Sequence, residues 1–198
     1  MYNRVITFRG ASNIDAGVAH IRDNVAPLLR QQNGFRGLIA SADREAGLVG
    51  ALSLWATEVD RDASDSALAK TREEGLKIIG GQMSVEMFEE VLVDATRLPG
   101  VGDSLLIRRV SMDPAKVDEN AEFFEREILP QIKAEPGFVA VRQMINRSTG
   151  DSLVGTVWTD AESMRAAAES AERRQSQAAG RVTFGEQSSR TILFIDMP

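Results

Sequence analysis

Two segments of this chain repeat one another without a gap. QQNGFRGLIASADREAGLVGALSLWATEVD (31–60) lies over AEPGFVAVRQMINRSTGDSLVGTVWTDAES (134–163). Gly34 and Phe35 fall on Gly137 and Phe138, Arg44 on Arg147, Gly47 on Gly150 and Trp55 on Trp158, all 103 positions apart. Upstream, Asp15 falls on Asp118 and Pro27 on Pro130 at the same offset. The chain has only two tryptophans, and they land on each other. A tandem duplication follows, and it limits the fold to one that a single supersecondary unit can build twice. The expected organisation is a first repeat over 1–96, a linker RLPGVGD over 97–103, and a second repeat over 104–198.

Each half reads as strand, helix, strand, strand, helix, strand. VITFR (5–9) is a β-rich run, and Ile14, Val18, Ile21, Val25 and Leu28 then recur at helical steps of three and four. GLIAS (37–41) and LVGALSLW (48–55) flank a short polar loop, which can join only antiparallel neighbours. A second helix over 64–79 stops at Gly80-Gly81, and VEMFEEVLVDA (85–95) is the fourth strand. The second half repeats the order with LLIRRVSM (105–112), a helix carrying Val117, Ala121, Phe124 and Ile128, a hairpin over 138–158, a helix over 162–179, and RTILFID (190–196). The order βαββαβ is the ferredoxin-like unit. Its strands here are apolar on both faces, the pattern of a sheet covered on both sides. The fold class expected is α+β: two tandem ferredoxin-like repeats whose antiparallel sheets pack face to face, each copy covering the other. A doubly wound parallel sheet is the alternative, and the two tight hairpins argue against it.

Composition narrows the chemistry. The chain has 198 residues, 43% of them hydrophobic, and a formal net charge of −6. An acidic chain without a basic cluster is a poor candidate for nucleic acid, whose binding rests on neutralised phosphates. There is no cysteine and one histidine, which removes thiolate chemistry and any site built from several imidazoles. No segment approaches the ~20 apolar residues of a membrane span, so a cytoplasmic protein is expected.

PGF at 136–138 and W-T-D-A-E-S-M at 158–164, echoed by W-A-T-E-V-D at 55–60, resemble the antibiotic-biosynthesis-monooxygenase-like branch of the dimeric α+β barrel superfamily. The resemblance implies an intramolecular version of that family's homodimer, with a ligand cavity between helices and sheet in each half. It also implies two kinds of activity: oxidation of aromatic, polyketide-type substrates by O2 without metal or flavin, and oxidative haem degradation. Asn3-Arg4 and Trp55 resemble the haem-degrading relatives. The positions of their catalytic histidine and second tryptophan carry Glu74 and Ser64 in the first copy, Gln177 and Ala167 in the second. Haem degradation of that type is therefore not expected, and no cofactor is implied.

The candidate catalytic residue is His20, the one side chain whose ordinary pKa lies near neutrality. On a helix lining a cavity it could take a proton from a phenol or enol; otherwise it is a histidine at the edge of the core. Its counterpart is Phe123, which points to the first copy as the active one. Candidate substrate-binding residues are Asn3, Trp55, Arg109, Phe123, Arg142 and Trp158. The tryptophans could wall an aromatic pocket or anchor strand to helix. Arg108, Arg109 and Arg142 could hold an enolate, or pair with strand acids such as Glu86, Glu89 or Glu186. Asn3 could bond a ligand carbonyl or bound O2, or cap the strand. The acidic run DRDASD (60–65) reads as a solvated loop rather than a metal site. Two functions stand open: a cofactor-independent oxygenase of a small aromatic or polyketide-like substrate, and a non-catalytic or stress-related module that holds a small apolar ligand. Catalysis on such a substrate calls for a cavity of ~300 Å3 or more with convergent polar groups. The expected partner is a small apolar or aromatic ligand, with no nucleic acid or membrane, on a monomer that is its own pseudo-dimer and could dimerise further.

Overall fold

The computed structural model describes residues 1–197 and is an α+β protein. Its strands are β1 (Tyr2–Arg9), β2 (Phe35–Asp43), β3 (Leu48–Trp55), β4 (Gln82–Ala95), β5 (Ser104–Met112), β6 (Phe138–Ile145), β7 (Asp151–Trp158) and β8 (Val182–Asp196). Four helical segments connect them: α1 (14–29), α2 (Glu58–Ile79), α3 (117–133) and α4 (Ala161–Gln175). Hydrogen bonding runs through the strands in the order β1-β3-β2-β8-β5-β7-β6-β4. The registers along β1-β3-β2-β8 and β5-β7-β6-β4 are antiparallel, so the parallel alternative is set aside. The ferredoxin-like α+β architecture expected from the sequence is the one observed.

Contacts gather the chain into two compact units, Met1–Met87 with the segment from Thr191, and Phe88–Arg190. In the first, β2 pairs with the end of β8, Leu38 opposite Asp196 and Ala42 opposite Thr191. In the second, β6 pairs with the far half of β4, Glu89 opposite Ile145 and Ala95 opposite Ala140. The fourth strand of each repeat is long and gives one half to each unit. The sequence reading of β8 began at Arg190 because GEQSS (185–189) is poor in strand formers. The segment 97–103 is an ordered turn, in which Arg97 donates to both oxygens of Asp103 at 2.8 Å.

Local chemistry repeats with the sequence. Gly34 and Gly137 enter the second strand of each copy at φ +71° and +78°, and a Cβ at either position would collide with the next helix's first turn. Both first helices contain a π-turn, Ile21–Val25 and Phe124–Ile128. The amide of Ala26 reaches back five residues to Ile21, and that of Leu129 to Phe124. Pro27 and Pro130 follow at once, and a proline cannot donate the next helical bond. Helix α2 starts at Glu58, not at 64, because Thr57 accepts from the amide of Asp60 at 3.1 Å. The run DRDASD is therefore helix, not loop, and its acids sit near the positive end of the helix dipole.

Candidate active-site cavities

Each unit has a cavity between its helices and its sheet, and matched positions line both. In the second unit the cavity measures about 130 Å3, with Leu106, Phe123, Val154, Trp158 and Ala171 on its walls. In the first it measures about 50 Å3, with Arg4, His20, Ala51, Leu68 and Thr71. Phe123, Val154, Ala171 and Arg174 lie 103 positions after His20, Ala51, Leu68 and Thr71. Strand register matches Leu106, opposite Thr156, to Arg4, opposite Ser53. Two exchanges run in the direction of the difference in size: Leu106 stands where the first copy has Arg4, and Ala171 where it has Leu68.

The larger cavity is mostly apolar with a few polar groups. Asn120 and Gln143 line it and are buried, at 5% and 3% exposure, yet Asn120 Nδ2 and Gln143 Oε1 have no hydrogen-bond partner in the protein. An unmet buried donor or acceptor costs about 1–3 kcal/mol. The first copy has Gly17 and Ala40 at these positions. The Arg108 guanidinium also lines the cavity, held by two neutral acceptors, Gln187 Oε1 at 2.5 Å and the Gly185 carbonyl at 3.2 Å. Burial lowers its pKa, against the attraction of Glu172. Arg174 is ion-paired with Glu135. The lining contains no His, Asp, Glu, Lys or Tyr.

The residues singled out from sequence scatter across the two units. Phe123 and Trp158 line the second cavity, and His20 the first. Trp55 is fully buried, donates to Ser53 Oγ at 3.0 Å and meets Phe35 edge-on at 5.8 Å. Trp158 repeats this with Thr156 Oγ1 and Phe138, so both tryptophans are anchors and one is also a cavity wall. Arg142 is not free for a ligand: it pairs with Glu90, the neighbour of the acid expected. Arg109 is absent from the lining of both cavities; Arg108 takes that place, because alternation along β5 puts Leu106, Arg108 and Val110 on one face. Asn3 is wholly buried with both amide heteroatoms unpartnered, on the face of β1 opposite Arg4 and outside both linings. Asn120, Gln143 and Gln187 were not anticipated. Parity along the strands (Gln143 opposite Val154, Arg108 opposite Val154) was the signal available.

Comparison with known proteins places this geometry. No family model matches the chain. An uncharacterised protein of Mycobacterium tuberculosis, Rv2557, is 27% identical over 165 residues, 83% of this chain and 74% of the relative. A candidate monooxygenase of Fusobacterium nucleatum superposes with TM-score 0.72 at 14% identity, over 99% of this chain and 94% of that one. A ferredoxin-fold protein of Listeria monocytogenes related to antibiotic biosynthesis monooxygenases gives 0.55 at 9% identity, over 97% and 95%. The chain has the antibiotic-monooxygenase-like fold. Within that antibiotic-biosynthesis-monooxygenase-like (ABM-like) fold the two copies differ in what lines their cavities. Among the described residues no group of three or more His, Asp or Glu is arranged to hold a metal ion, and no helix is long and apolar enough to cross a membrane.

Proposed function

We propose that the second unit binds a small, largely apolar molecule of about one aromatic ring that carries a hydrogen-bonding group, and that the protein acts as a ligand-binding module of the ABM-like fold. The observation that carries this reading is the pair of unpartnered amide atoms, Asn120 Nδ2 and Gln143 Oε1, on side chains that line a cavity of about 130 Å3. A dry cavity of about 150 Å3 accepts benzene, so a single ring fits and a fused tricyclic polyketide does not. The size falls short of the ~300 Å3 expected for the larger substrate class. The polar pair supplies one donor and one acceptor, the requirement of a phenol or a small amide.

The catalytic reading, cofactor-independent oxygenation of an aromatic substrate, is favoured by Arg108. A guanidinium beside an apolar chamber stabilises a phenolate or enolate, and such an anion supplies the electrons that reduce O2. The substrate would have to ionise in water before entry, because no lining side chain can take its proton. His20, the base expected from sequence, faces the other cavity.

Calorimetric titration with phenol and toluene, together with oxygen uptake in air, tests both readings. The module reading expects saturable phenol binding, at least fivefold weaker in Gln143→Leu, with toluene affinity kept and no oxygen consumed. Oxygen uptake with phenolic substrates that falls in Arg108→Gln would establish the catalytic reading instead. Failure of both ligands to bind would remove the site.

A further inference from the structure

We infer that the cavity of the first unit is a binding site for a small inorganic or one-carbon monoanion, of the size of chloride, formate or nitrate. Arg4 on β1 is 1% exposed, and its guanidinium reaches across to α2. There its terminal nitrogens donate to Ser64 Oγ at 2.9 Å and to the Arg61 carbonyl at 2.5 Å, while Nε is buried without a partner. Arg72, one turn after Leu68 on the same helix, lines the same cavity, and its Nη1 is likewise buried and unpartnered. The other ends of the two guanidinium groups meet at a single atom: Asp65 Oδ1 lies 3.5 Å from Arg4 Nη2 and 2.9 Å from Arg72 Nη2.

Two cations therefore share one carboxylate, and that carboxylate is half-exposed, which weakens its neutralising effect. Nearby Arg61 is occupied by Glu58 and Asp62. Burial, and then repulsion from Arg72 and Arg61, depress the Arg4 pKa against the attraction of Asp65 and Asp62. Unmet guanidinium N–H groups on two side chains that line one cavity are the donors that a planar oxyanion or a halide takes once the side chains turn toward it. A space of about 50 Å3 holds several times the ~10–15 Å3 that one water needs, enough for three or four heavy atoms and too little for a phosphate ester or an aromatic acid. The duplication supplies an internal control. At the matched positions the second unit has Leu106 and Gln175, so the fold itself does not require cations there. Of the other polar side chains in the lining, the Ser53 hydroxyl accepts from Trp55 and the His20 ring is bonded to the Thr71 carbonyl.

The test is calorimetry of sodium nitrate, formate and chloride into the full-length protein, with ionic strength held by isethionate, an anion too large for the space. One saturable site per chain is expected for at least one of the three. Its affinity falls at least tenfold in Arg72→Gln and in Arg4→Leu, and is kept in Arg108→Gln, which alters the other cavity. Arg72 is the safer probe, since Arg4 is fully buried; circular dichroism verifies that each variant is folded. No saturable heat in folded wild type, equal affinity in Arg72→Gln, or loss of binding in Arg108→Gln would each overturn the assignment.

Discussion

The Nε2 atom of His20 lies 3.2 Å from the carbonyl oxygen of Thr71, and both residues line the smaller cavity. A carbonyl accepts, so in this contact Nε2 is the donor. The ring ties α1 to α2. His20→Ala is expected to lower the unfolding free energy by about 1–2 kcal/mol, through a lost buried hydrogen bond and lost packing. Ligand affinity in the second unit is expected to stay unchanged. Urea unfolding and phenol calorimetry on the same variant measure both, and a loss of phenol binding would return His20 to the site.

Arg142 and Glu90 form an ion pair across β6 and β4, with the carboxylate side chain at 6% exposure and the arginine at 17%. Removing one partner strands the other. Arg142→Met is expected to cost about 3–5 kcal/mol, and the double variant Arg142→Met/Glu90→Leu to recover most of it, because an apolar pair of similar volume replaces a buried ionic one. Chemical-denaturation midpoints of the single and double variants decide it; a double variant no better than the single would mean that the charges do more than satisfy each other.

The architecture was legible because a repeat, two helix periods and two short hairpin loops all point to the same fold. The site was less so. Arg108 and Arg109 are adjacent, and only the register of β5 against β7 decides which one faces the helices. Arg142 and Gln143 pose the same problem on β6. The preference for the first copy rested on His20, while the available space depends on Leu68 against Ala171, a difference of side-chain volume that carries no chemical signature. The long β8 was foreshortened because Gly185, Ser188 and Ser189 give no strand signal, although pairing with neighbouring strands holds them extended.

Asp103 closes the turn between the repeats. Hydrogen bonds from Arg97, and then from the Gly100 amide, hold its carboxyl below the ordinary carboxylate range, against the opposing effect of burial. A folded-state pKa below the unfolded one means that the stabilisation is complete above the unfolded pKa, about 3.9, and is lost as pH falls through the folded value. Asp103→Asn is expected to be less stable than wild type by about 1–3 kcal/mol at pH 7, with the gap narrowing below about pH 4. Thermal unfolding between pH 2.5 and 7 measures it, and a gap independent of pH would reassign the effect to packing.

The most direct test of the ligand site exchanges one side chain between the copies. Ala171 lines the larger cavity where its counterpart Leu68 fills the smaller. Calorimetric titration of phenol into wild type and Ala171→Leu is expected to show one site per chain in the first and at least tenfold weaker binding in the second, with both proteins equally folded. Equal phenol affinity in the two proteins would contradict the assignment of the cavity as the binding site.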